Sequence, residues 1–172
     1  MTEKKPFSNL DRLAKKGIQS FTNDKVSTKK IKNLLIKADE EAINDFKIIA
    51  FDYYKNSKQL SLFSFRHYIV LVLYNLEADF KAKYGTISEP DEDYITFYQK
   101  RGNKASLTRD VKVIGNISFQ LPIKYTDLYY RIMHTYYINE ISHLSSYSIS
   151  QFFYYIVDYI KVSTLKAYEI HI

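Results

Sequence analysis

Gly115-Asn116-Ile117-Ser118-Phe119-Gln120-Leu121-Pro122 is the stretch on which the reading of this chain turns. Ile117, Phe119 and Leu121 alternate with Asn116, Ser118 and Gln120. A strand through them is apolar on one face and polar on the other. Pro122 stops the strand, and a helical pattern follows at once. Tyr125, Leu128, Ile132, Met133, Tyr136, Ile141 and Leu144 fall on one face of it. The polar face of the strand carries amides and a hydroxyl, groups that both donate and accept toward base edges.

Working outward from this stretch, the alternation runs back to Leu107 through Val111 and Val113, and Gly115 offers a kink or bulge. Tyr94–Tyr98 alternates weakly, so 94–121 reads as a β-containing segment. It is preceded by the acidic loop Ser88–Asp93, where Asp91 and Asp93 lack the Gly and distal Glu of a calcium loop. Asp127 and Arg131 are spaced for an i,i+4 pair. After the turn Ser145–Ser148 a last helix is predicted over 149–168, with Ile149, Phe152, Phe153, Ile156, Ile160 and Leu165 inward.

Upstream, Ile31, Leu35, Ala38, Ala42, Phe46, Ile49 and Tyr53 recur at helical steps. They predict a helix over 29–55, capped by Ser27 or Thr28. Lys29, Lys30, Lys32 and Lys37 oppose the dipole at the start of that helix, for which a partner anion and chance are the two candidate reasons. A second helix is predicted over 62–83, capped by Ser61, ended by Gly85 and apolar nearly all round from Tyr68 to Leu76. A buried strand at 68–73 is the alternative. His67 near its start reads as a packed or surface residue. No internal repeat is visible.

The fold class is mainly α with a small β component, an α+β chain. Long N-terminal helices precede one or more short strands and a C-terminal helix pair over 123–168. Residues 1–27 read as a basic flexible arm with a short helix near 9–16, and residues 28–172 as a single mostly helical domain. Residues 1–37 hold ten Lys/Arg against three Asp/Glu, and residues 38–172 fifteen against sixteen. The net charge of +6 thus sits at the N-terminus, as suits a polyanion.

The absence of Cys removes disulfides, thiolate nucleophiles and thiolate metal sites, and fits a cytoplasmic protein. His67, His134, His143 and His171 have no helical pairing for a metal. No Gly-rich phosphate loop and no nucleophile elbow occur. The expectation is a non-enzyme without metal or cofactor. The N-terminus lacks an apolar signal core, and no run approaches the ~20 apolar residues of a membrane span. The 17 Tyr fit an AT-rich genome and by themselves say nothing about base stacking.

From Asn116 to about Val162 the chain resembles the ribbon-helix-helix DNA-binding family. The resemblance rests on Asn116-Ile117-Ser118-Phe119-Gln120-Leu121-Pro122, on the two helices that follow, and on the Ser-rich start of the second. The layout also looks like that of AcaB-type transcriptional regulators of conjugative elements, which belong to this class. The resemblance implies a homodimer whose two strands, one per copy, pair into a ribbon that enters the major groove of double-stranded DNA. It implies Asn116, Ser118 and Gln120 as base readers, and Ser146 and Ser148 at a helix N-terminus as phosphate ligands. Lys100, Arg101, Lys104, Arg109 and Lys112 would add backbone contacts, as would the arm residues Lys4, Lys5, Lys15, Lys16, Lys29, Lys30 and Lys32. Two alternatives stay open. The stretch also fits an ordinary strand paired with 94–98 or 107–113 in the same chain. The whole chain also fits a helical adaptor or inhibitor that docks a protein partner through exposed Tyr and Phe.

Overall fold

Among the described residues, the strand that pairs with 116–121 lies in the same chain. In a computed structural model that describes residues 31–90, 113–142 and 147–172, β1 (Ile31–Asp39) pairs antiparallel with β2 (Ile114–Pro122). The ladder is continuous from Ile31 opposite Pro122 to Asp39 opposite Ile114. The segment 94–98, residues 107–112 and the arm lie outside the described residues, and Ile31–Ile172 forms one compact unit.

β1 overturns the first half of the predicted helix 29–55. Leu34, Ile36 and Ala38 are buried while Asn33, Leu35 and Lys37 are exposed, a period of two rather than 3.6. The helix α1 begins only at Glu40 and runs to Asn56. Asp39 caps it, its carboxylate accepting from the Glu41 amide at 3.2 Å. Glu40 and Glu41 then fill the first turn, where the helix dipole favours anions. Lys32 and Lys37 therefore lie on a strand and not at a helix start, while Lys29 and Lys30 lie outside the described residues.

Helix α2 (Phe65–Tyr84) is capped by Ser64, which accepts from the His67 amide at 2.9 Å. Ser61, the expected cap, sits in a 3-10 turn over Leu60–Leu62. Gly85 at φ 83° ends α2 as expected. Helix α3 (Ile123–Glu140) leaves β2 directly at Pro122. Asp127 and Arg131 do not pair with each other; Arg131 meets Glu89 at 2.6 Å and Asp127 faces Lys32 at 3.9 Å. Helix α4 (Ile149–Val162) carries a reciprocal capping box between Ser148 and Gln151. It stops short of the predicted 168, because Ser163 turns extended and the chain beyond it is held sideways. Buried Asn75 donates to the Lys166 carbonyl at 3.0 Å and accepts from its amide at 2.8 Å, pinning this tail to α2.

The chain does contain a structural repeat, strand–helix–helix twice. Asp39 and Pro122 hold the same place before α1 and α3, and Ser64 and Ser148 cap α2 and α4. Packing follows the same two-fold logic. The first helix of each half packs on the second helix of the other, α1 on α4 and α3 on α2. The halves are thereby intertwined over one core beneath the two-stranded sheet. Gly115 makes no bulge. A Cβ there would meet the Glu40 and Ile43 side chains at 3.0 Å, so a glycine lets α1 cross close over β2.

At the base of the core the Tyr54 hydroxyl is hydrogen-bonded to His67 Nδ1. Burial holds the His67 imidazole below its ordinary value. The unfolded chain then binds the proton more readily than the folded one. This contribution to stability is fully present above about pH 6.5 and is lost as pH falls from there through the lower folded value. The thermal midpoint is expected to drop on acidification from pH 7 to 5. His67→Phe should flatten that limb in a calorimetric pH series; an unchanged slope would show that His67 does not contribute.

Candidate nucleic-acid interface

Alternation in two paired strands sorts their side chains between two faces. The inner face holds Leu34, Ile36 and Ala38 from β1 and Ile117, Phe119 and Leu121 from β2, all buried against the helices. The outer face holds Asn33, Leu35 and Lys37 opposite Gln120, Ser118 and Asn116 respectively. All six are exposed. Directly opposed residues of an antiparallel pair have Cβ atoms about 5 Å apart, so the six form a compact block of two rows. Nine residues per strand make the ribbon about 30 Å long.

The three expected base readers are thus brought together on one exposed face, and β1 sets Asn33, Leu35 and Lys37 opposite them, a placement that sequence reasoning missed. Ile31, Leu35 and Ala38 fit helical steps, and this hid the shorter period of Leu34, Ile36 and Ala38. The signal available was Asp39 followed by Glu40 and Glu41, a helix start that leaves 31–38 outside the helix.

The phosphate ligands fare differently. Ser148 is 2% exposed and its hydroxyl accepts from the Gln151 amide at 3.2 Å, so it caps α4 and does not face a solvent-borne anion. Lys32 points to the helix side, toward Asp127, and away from the outer face. Lys4, Lys5, Lys15, Lys16, Lys29, Lys30, Lys100, Arg101, Lys104, Arg109, Lys112 and Ser146 lie outside the described residues. No protein-family model, curated protein or solved structure matches this chain.

Charge over the described residues is balanced, with twelve Lys/Arg and twelve Asp/Glu. The whole excess of +6 therefore resides in residues 1–30 and 91–112, the segments that precede β1 and β2 in sequence. The ribbon's ends also differ. Asp39, Glu41, Asp45 and Asp158 line a notch beside the Asp39 end, together with Lys161 and Tyr154. Lys161 pairs with Asp45 at 2.6 Å, and the Tyr154 hydroxyl accepts from the Asp39 amide at 2.9 Å. Among the described residues no group of three or more His, Asp or Glu is placed to hold a metal ion, and no helix is long and apolar enough to cross a membrane.

Proposed function

We propose that this protein is a non-enzymatic DNA-binding transcriptional regulator whose two-stranded ribbon lies in the major groove. The observation that carries the reading is the outer face itself: five hydrogen-bonding side chains and one leucine on a ribbon backed by two intertwined helix pairs. The major groove admits a two-stranded ribbon and presents a distinct pattern for each base pair. Amide side chains at Asn33, Asn116 and Gln120 match adenine N6 and N7, and Ser118 bonds several bases. Among the described residues the two-stranded ribbon forms within one chain, so it needs no strand from a second copy. The basic segments 1–30 and 91–112 supply phosphate contacts that the neutral body does not.

Gel-shift titration against random and selected duplexes at several salt concentrations tests this. Ser118→Ala and Gln120→Ala are each expected to lower discrimination at one or two base positions by about 1–3 kcal/mol, with the fold intact because both side chains are exposed. Unchanged selectivity in both variants would sink the reading.

A second reading has its own observation. Ile48, Phe51, Leu60 and Leu62 are 59%, 45%, 49% and 54% exposed around α1 and the 3-10 turn. An apolar surface of this kind suits an adaptor or inhibitor that docks a protein partner. A chain that shows no sequence-selective, salt-steep DNA binding in the same titration favours it.

A further inference from the structure

We infer that the ribbon reads a DNA site without dyad symmetry, one chain to one site. The inference rests on the DNA-binding reading above and specifies its substrate.

In a ribbon built from two copies of one strand, a two-fold axis makes both ends identical, and the preferred site is a palindrome. Here the two-fold relation is only approximate. Counting back from the caps Asp39 and Pro122 places Asn33 with Asn116, Leu35 with Ser118, and Lys37 with Gln120. The same count places Leu34 with Ile117, Ile36 with Phe119, and Ala38 with Leu121. The inner positions are apolar in every case, so the scaffold keeps the two-fold chemistry. On the outer face only the Asn33–Asn116 equivalence survives.

The substitutions on that face change what can be bonded. Lys37 only donates, which suits guanine O6 and N7, whereas Gln120 donates and accepts, which suits adenine. The Leu35 side chain carries no donor or acceptor and suits a thymine methyl, whereas the Ser118 hydroxyl suits several bases. The register collects these differences at opposite ends. Asn33 faces Gln120 at one end, two amides side by side, while Lys37 faces Asn116 at the other, a cation beside an amide. The flanks sharpen the contrast: exposed Lys124 follows the Pro122 end, and Glu40 and Glu41 follow the Asp39 end. A palindrome offers equal edges to these unequal ends and satisfies at most one of them. The site that satisfies both has adenines under Asn33 and Gln120 at one end, and a guanine under Lys37 beside an adenine under Asn116 at the other.

The test is selection of bound duplexes from a random pool by the full chain, with sedimentation of the complex on the enriched duplex. The expected result is a motif lacking dyad symmetry and one chain per duplex. The double variant Leu35→Ser, Lys37→Gln carries Asn-x-Ser-x-Gln on both strands. Its selected motif should move toward a palindrome, and its affinity for the original motif should fall about tenfold or more. Both positions are exposed, and circular dichroism confirms the fold; Lys37→Gln alone, which removes the guanine preference, serves if the pair does not fold. A palindromic motif for the unaltered chain, two chains on the minimal duplex, or an unmoved motif in the folded variants overturns the inference while leaving DNA binding in place. Failure to enrich any motif overturns the DNA reading itself and this inference with it.

Discussion

Phe46→Ala is expected to destabilise the protein by about 3–5 kcal/mol, a large part of a typical domain's total stability. Phe46 is fully buried on α1, and its ring meets Tyr68 of α2 at 5.5 Å, Phe119 of β2 at 5.7 Å and Phe153 of α4 at 5.5 Å between centroids. It also approaches Phe65 at 6.4 Å. One side chain therefore joins both halves of the repeat. Removing it leaves a cavity bounded by rigid rings that collapse poorly, which places the cost at the high end for a core truncation. For a chain of this size the melting temperature should fall by roughly 10 °C or more. Phe51, on the same helix but 45% exposed, is the internal comparison. Its truncation removes little buried area and should cost about 1 kcal/mol or less. Urea titrations of the two variants decide the matter, and equal losses would mean that α1 does not face the core with Phe46.

Deleting residues 1–26 is expected to weaken DNA binding about 10²–10³-fold near 0.1 M salt, with the sequence preference unchanged. This segment holds six Lys/Arg and three Asp/Glu, a net of three positive charges. Each phosphate neutralised contributes about 0.9 to the slope of log K against log salt, so the slope should become shallower by roughly three. The body left behind has no net charge over its described residues, and on the proposed reading its selectivity comes from the ribbon. The two contributions separate cleanly in one experiment. Removal of the arm changes affinity and salt dependence, while Gln120→Ala changes the preferred sequence. An arm deletion that leaves the slope untouched would mean that the arm does not contact DNA phosphates.

Much of the architecture was legible from local pattern. The strand through 116–121, its stop at Pro122, the helix after it and the helix stop at Gly85 follow from alternation, from proline chemistry and from glycine's tolerance of positive φ. β1 was not legible in the same way. Ile31, Leu35 and Ala38 satisfy a helical period, and Leu34, Ile36 and Ala38 satisfy a strand period. The nine residues fit both, and burial of Leu34 and Ile36 against the helices, with β2 paired alongside, makes the choice. Gly115 shows the same limit. Its sequence suggests a bulge, whereas its cause is the approach of α1 from more than seventy positions away.

Alternation of apolar and hydrogen-bonding residues by itself determined that 116–121 is a strand with a polar outward face, and composition by itself determined where the net charge lies. Only the tertiary structure decided that the second strand of the ribbon is Ile31–Asp39 of the same chain. The physical reason is that a strand's period is a local property of its own residues. Its partner is set by which distant segment can bury a matching apolar face beside it, in register, and the intertwined packing of α1 on α4 and α3 on α2 gives that advantage to β1.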